Sequence, residues 1–334
     1  MPSSLKDNSP FNRRFFAERM DRGRIIAVIS NEALLDLVLG GYEPLVAGYV
    51  DHITYPLEDR DDLLKMAKFR SINHPTDGSD EPWGHLEIGA DYLSYVKQYL
   101  LELAQRDGAH PETLRLAKYE QDRLDASEFA DRLGYPILDD DKTGPLGMLA
   151  DLPVPIIMTT CCHTFIEAAL RRAGKEPRSD FCRWHSELDG SRSVFSGGYE
   201  PSAEQPLVYH LHGLDAEKGS LVLAEDDYLD FLVAITQNLG NDRDRIPGEI
   251  RAAMQQSALV LLGFELHSWA FRVFLWGLIK YLRTGTKGLV TLQIAPNEME
   301  RAFLSGYFKH EASLDIHWGS VLECIQRLHA QWRP

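Results

Sequence analysis

Side chains capable of chemistry crowd into a few short stretches of this 334-residue chain. Thr159, Thr160, Cys161, Cys162 and His163 are consecutive, and His210 and His212 flank Leu211 just ahead of Gly213. Cys182 and His185 stand three positions apart. These residue types admit three chemistries. An imidazole can serve as a general base. Cys161, at the start of a helix, could act as a nucleophile beside His212. The thiols and imidazoles of Cys161, Cys162, His163, Cys182 and His185 could hold zinc. Adjacent cysteines fit poorly around one ion and no CxxC pair is present, so no metal is expected. Each group also has a plain structural reading, as a buried thiol or as a strand-end histidine satisfied by backbone groups.

The elements around these residues say where they should stand. Pro155 to Met158 is a short apolar run bounded by prolines before and polar residues after. That pattern predicts a buried parallel strand. Phe165, Ile166, Ala169 and Leu170 then recur at helical spacing, so Thr159 to His163 fall in a turn at the carboxyl end of a strand, where open α/β sheets bind their ligands. Arg24 to Ser30 (RIIAVIS) reads as the first strand, and Asn31 is placed as the cap of a helix over Glu32 to Leu39 that ends before Gly40-Gly41. Further strands are predicted at 206–212, 258–264, 289–295 and 314–318, with helices between them. His210 and His212 would face one side if their strand is regular. Residues 42–134 read as mostly helical, with the strongest amphipathic pattern over Ala90 to Ala104. Residues 175–205 carry no clear element. Alternating strands and helices predict an α/β fold: a Rossmann-like, doubly wound parallel sheet with a mostly helical insertion. The domain reading is an N-terminal tail and helix over 1–23 and one Rossmann domain over 24–334, with the insertion at about 42–150.

Bulk properties narrow the function classes. The hydrophobic share of 44% supports a sizeable core. A formal net charge of −15 argues against direct nucleic-acid binding and membrane-surface binding, which both lean on Lys and Arg. Four cysteines in this length do not form a disulfide framework, and the reading is a cytoplasmic protein. The N-terminus has no signal-peptide core, and the apolar stretch 269–282 is too short and too charged to span a bilayer.

The order of the strand-end turns resembles the sirtuin-like family. That family builds one NAD site from a Thr-Thr-Asn turn with a following acid, a Leu-His-Gly turn, and a later Gly-aromatic-x-Leu segment ending in Phe-Arg. The matching residues are Thr159-Thr160, Leu211-His212-Gly213, and Gly263-Phe264 with Leu266, Trp269, Phe271 and Arg272. Ala224-Glu225-Asp226-Asp227-Tyr228 resembles the acidic-Tyr segment of bacterial relatives. The likeness is good over 150–330 and weak over 1–150. Leu292-Gln293, Pro296 and His317-Trp318-Gly319-Ser320 resemble a prokaryotic subgroup whose members are often NAD-depleting effectors of antiphage defence.

This resemblance implies an NAD glycohydrolase, which cleaves the nicotinamide–ribose bond. It makes His212 the base and puts Cys161 at the position of the family's asparagine. It assigns Ser30, Asn31, Thr159, Thr160, His163, His210, Gly213, Gly263 and Phe264 to the cofactor site. NAD would be substrate or ligand, and the partners would be further copies of the chain or another defence protein. The chain also departs from the family. Cys161 replaces the asparagine, His163 the following acid, and the first βα turn has no glycine. A thiol cannot offer an amide's paired donor and acceptor. These departures imply the alternative, a catalytically inactive sirtuin-like module serving as a nucleotide sensor or as an assembly subunit of a defence complex.

Overall fold

A computed structural model describes residues 13–74, 82–138, 144–237, 244–264, 271, 274, 277–278, 288–292 and 297–332. Its centre is one seven-stranded sheet, with every strand pair parallel and the order β3-β4-β2-β1-β5-β6-β7. The strands are β1 (Ile25–Ile29), β2 (Ile156–Thr159), β3 (Arg178–Phe181), β4 (Leu207–His210), β5 (Ala258–Leu262), β6 (Gly288–Leu292) and β7 (Leu314–Trp318). The sheet is therefore the doubly wound α/β architecture that the alternation predicts.

Burial on both faces explains the near-continuous apolar strands. Ala27, Ile29, Ile157, Val208, Val260 and Leu262 belong to one core. Their chain neighbours Val28, Met158, Tyr209 and Leu261 belong to the other, as the two-residue period of a strand requires. On the first face pack α1 (Arg13–Asp21), α2 (Asn31–Leu39), α8 (Pro145–Asp151), α9 (Phe165–Arg172) and α13 (Val321–Trp332). On the second pack α10 (Glu225–Thr236), α11 (Gly248–Gln256) and α12 (Glu298–Ala312).

Between β1 and β2 the chain is helical. Here lie α3 (Tyr42–Ile53), α4 (Leu63–Ile72), α5 (His85–Arg106), α6 (Pro111–Glu120) and α7 (Ala126–Leu133). Residues 111–133 form two helices, divided where Asp125 and Glu128 make a reciprocal capping box for α7. Tyr49, Tyr92, Val96 and Phe129 of the insertion share a continuous core with the first sheet face. The insertion is thus cemented to the sheet.

The sequence reading needs one correction. Residues 175–205, read as carrying no element, contain edge strand β3. Its sequence Arg-Ser-Asp-Phe lacks an apolar run because only its later residues are buried. Its backbone pairing to β4 makes it a strand. The helix expected between the strands read at 258–264 and 289–295 lies largely outside the described residues.

Candidate functional site

The connections that follow β1 and β5 run in opposite directions across the sheet, so the crevice beyond their carboxyl ends is the topological switch point. A cavity of about 950 Å³ opens at the strand ends in this region. Its wall on the sheet side includes Asn31, Thr160, Cys162, His212 and Phe264. Opposite stand Tyr42 and Val46 of α3, Tyr92 of α5, and the segment 58–65 that leads into α4. The helical insertion therefore forms one side of the cavity. Aromatic rings line much of it. Phe264 stacks on Phe271 and Phe274 at centroid distances of 5.0 and 5.5 Å. The Tyr228 ring meets His212 edge-on at 5.5 Å, and Phe231 approaches the same imidazole at 4.8 Å from behind.

The turn after β1 is closed by hydroxyls. Ser30, not Asn31, caps α2, its Oγ accepting from the Ala33 N–H at 3.2 Å and donating to the Gly263 carbonyl at 2.7 Å, and Asn31 is the first helical residue. The Asn31 N–H donates to Thr160 Oγ1 at 2.8 Å. Gly263 is needed here, because its φ is +76° and a Cβ would come within 2.1 Å of the Ala33 Cβ. Gly213 is constrained in the same way, with φ +87° and the Ser220 carbonyl oxygen 2.2 Å from where its Cβ would be.

Behind the wall lies a buried polar layer. His210 is fully buried, with Nδ1 2.7 Å from the Cys161 carbonyl and Nε2 2.8 Å from Glu167 Oε1. Ser179 Oγ donates to the same Glu167 oxygen at 2.7 Å. Burial opposes protonation of His210, but the Glu167 carboxylate, its hydrogen bond and the Cys161 carbonyl outweigh it and raise the pKa above the ordinary 6.5. His163 Nδ1 lies 2.8 Å from Asp215 Oδ2, which also accepts from the Ser127 N–H and Oγ. Because Ser127 belongs to α7, this bond set fastens the insertion to the turn after β2.

Of the residues assigned to the site by resemblance, Asn31, Thr160, His212 and Phe264 line the cavity. Thr159, Cys161, His163 and His210 are buried, and none of them is part of its wall. Ser30, Gly213 and Gly263 shape the turns from behind. Cys161 is fully buried, its N–H donating to Thr159 Oγ1 at 3.0 Å, and burial raises its thiol pKa far above the ordinary range. It therefore lacks the thiolate character of a nucleophile. His210 and His212 do not face one way, because β4 ends at His210 and the chain then turns toward Gly213. His212 is half-buried, its Nε2 has no hydrogen-bond partner among the described residues, and burial lowers its pKa to about 3. Leu266, Trp269 and Arg272 lie outside the described residues.

The five-member thiol and imidazole set does not assemble. Cys182 Sγ contacts the Arg245 carbonyl at 3.8 Å, whereas His185 packs against Trp184 and His85. Sequence reasoning missed the Tyr42, Tyr92 and Glu58–Lys65 side of the cavity. Its signal there was the amphipathic pattern of the insertion, whose apolar face suits either covering the pocket or forming an oligomer interface, without naming these residues.

Residues 155–310 match a family model described as a SIR2-like domain. That stretch runs from β2 to α12 and holds the Thr159-Thr160, Leu211-His212-Gly213 and Gly263-Phe264 turns. The match supports a sirtuin-like family for this part of the chain. No curated protein matches the sequence. Among the described residues no single helix is long and apolar enough to cross a membrane.

Proposed function

We propose that this chain is a sirtuin-like binding module whose cavity takes a nucleoside-class ligand, uncharged or cationic, and that it does not hydrolyse NAD. The observation that carries this reading is the N-terminus of α2. In NAD-binding α/β folds the free N–H groups of this helix end receive the pyrophosphate. Here the Asn31 and Ala33 N–H groups are taken by Thr160 Oγ1 and Ser30 Oγ, and Glu32 in the first helical turn lines the cavity. A carboxylate at the positive end of a helix occupies the electrostatic place of a phosphate. The rim adds Glu43, Glu58, Asp59, Asp61 and Asp62 against Arg60 and Lys65. These residues do not fit a pyrophosphate. The aromatic walls, in contrast, suit a base or a pyridine ring.

The catalytic groups are equally ill-suited to bond cleavage. An imidazole whose pKa is near 3 is a weak proton acceptor at neutral pH. The asparagine position is a buried thiol. A module of this kind would act as a sensor or as an assembly subunit of a defence complex, through self-association or a partner protein.

A second reading, an NAD glycohydrolase of antiphage defence with His212 as base, draws on one observation: His212 lines the cavity and its Nε2 is unpartnered among the described residues. Calorimetry on the full chain with nicotinamide riboside, adenosine and NAD, with nicotinamide release assayed on the same samples, separates the two. The expected result is binding of a nucleoside at least tenfold tighter than NAD, with no release. Preferential NAD binding with release that His212→Ala abolishes overturns the proposal in favour of the second reading.

A further inference from the structure

Away from the cavity, three side chains from two distant parts of the chain converge. His85 is the first residue of α5, and His185 and Glu187 lie in the loop after β3. One ligand atom from each of the three lies within 4.8 Å of the other two. The two imidazole rings stand 5.2 Å apart at 62°. We propose that His85, His185 and Glu187 bind a divalent transition-metal cation of the zinc class.

The donor chemistry fits. Two imidazoles and one carboxylate are a known three-ligand set for Zn²⁺, with a fourth position left to water. His85 Nε2 is shielded from solvent and has no hydrogen-bond partner among the described residues, which is costly for a ring nitrogen and natural for a ligand atom. His85 Nε2 and Glu187 Oε2 are 3.7 Å apart, too far for a hydrogen bond. Two ligands each ~2.1 Å from a tetrahedral ion sit about 3.4 Å from one another, so this pair is nearly spaced to share one. The His185 ring is already oriented. Its Nε2 lies 2.9 Å from the Gly219 carbonyl, which holds that nitrogen as the donor and leaves Nδ1 as the acceptor. Metal-binding histidines are commonly fixed by such a second bond to a backbone carbonyl. Trp184 packs on the His185 ring at 4.4 Å and donates from Nε1 to the Ser220 carbonyl at 2.8 Å, which steadies the loop. Glu187 has a side chain 72% exposed and can swing in to complete the set, whereas the His85 side chain is 27% exposed.

This set shares no residue with the sirtuin-like turns. It ties the start of the longest insertion helix to the loop after an edge strand, and the Gly219 carbonyl belongs to the turn that leads into Leu221, Val222 and Leu223 of the cavity wall. Metal occupancy would therefore brace the insertion against the sheet beside the cavity.

The test is zinc retention by the full-length chain. Protein stripped with chelator is incubated with ZnCl₂, passed through gel filtration and measured for bound metal, and a Co²⁺-loaded sample is examined for ligand-field absorption. The expected result is one equivalent of Zn²⁺ in the wild type, a rise in melting temperature on loading, and a Co²⁺ spectrum of four- or five-coordinate form. His85→Gln and His185→Gln should each weaken binding by tenfold or more and remove the Co²⁺ spectrum. Glu187→Gln should weaken it less, and the distant His310→Gln should leave it unchanged. Circular dichroism of each variant checks that it is folded. The proposal is overturned by a wild type that retains no zinc, or by folded His85→Gln and His185→Gln variants that retain it as the wild type does.

Discussion

His210, the last residue of β4, and His212, in the turn that follows, live in opposite circumstances. His210 has a partner on each ring nitrogen and is held toward its charged form by Glu167. His212 is walled by Tyr228 and Phe231, has no partner for Nε2, and is held neutral by burial. The first belongs to a polar layer that fixes the strand-end turns. The second belongs to a cavity wall whose hydrogen-bonding capacity is unspent. A buried polar group with all its bonds made reports on architecture, and one left open reports on what the site could receive.

Breaking the satisfied side should have the largest effect. Glu167→Ala leaves His210 Nε2 and Ser179 Oγ without their acceptor in a fully buried position. Removing one member of a buried ion pair is expected to cost about 3–5 kcal/mol of unfolding free energy, read from denaturant titration. A loss below about 1 kcal/mol would refute the structural role of this layer.

The open side should be visible through pH. His212 has a folded pKa of about 3 against an ordinary 6.5, so between these values the unfolded chain takes up a proton that the folded chain refuses. Its contribution to stability is therefore lost as pH falls from 6.5 toward 3, by up to about 1.4 kcal/mol per pH unit. The contribution of His210 has the opposite sense. It is fully present below 6.5 and is lost as pH rises through the raised folded value. His212→Phe should flatten the acid limb of the stability–pH curve without lowering stability at pH 7. An unchanged acid limb would mean that His212 is not the group responsible.

Two smaller changes probe the α2 turn that separates the two regions. Thr160→Val removes the acceptor of the Asn31 N–H and should cost about 1 kcal/mol, measured by thermal and denaturant unfolding. A Thr160→Val chain as stable as the wild type would show that water replaces the hydroxyl. Glu32→Gln removes the carboxylate from the helix N-terminus and should strengthen NAD binding by roughly two- to fivefold in calorimetry, the equivalent of ~0.3–1 kcal/mol. No gain would locate the obstacle to a pyrophosphate in the closed hydroxyl bonds instead.

The fold was legible in the sequence where burial on both strand faces leaves a continuous apolar run, as at Ile25–Ile29, Ile156–Thr159 and Ala258–Leu262. It was not legible at β3, where Arg178 and Ser179 have no apolar signature and only pairing to β4 makes the strand. In the candidate site, the Thr-Thr and Leu-His-Gly turns could be read from residue order. Their division between cavity and interior could not. His163 and His210 look as reactive on paper as His212, yet Asp215 and Glu167, distant in sequence, satisfy the first two. The same holds for His85 and His185, whose meeting depends on how the insertion docks on the sheet.

The position of β1 at the middle of the sheet has a consequence for synthesis. Ile26 pairs with Ile156 on one side and with Leu259 on the other. On the ribosome β1 is made before either neighbour, and the first follows only after the whole helical insertion. The second, β5, comes about a hundred residues later still. Contacts so distant in sequence form late, because the intervening chain must be closed before they can be made. The insertion helices can form first, and their early compaction would shorten the gap that β1 has to bridge.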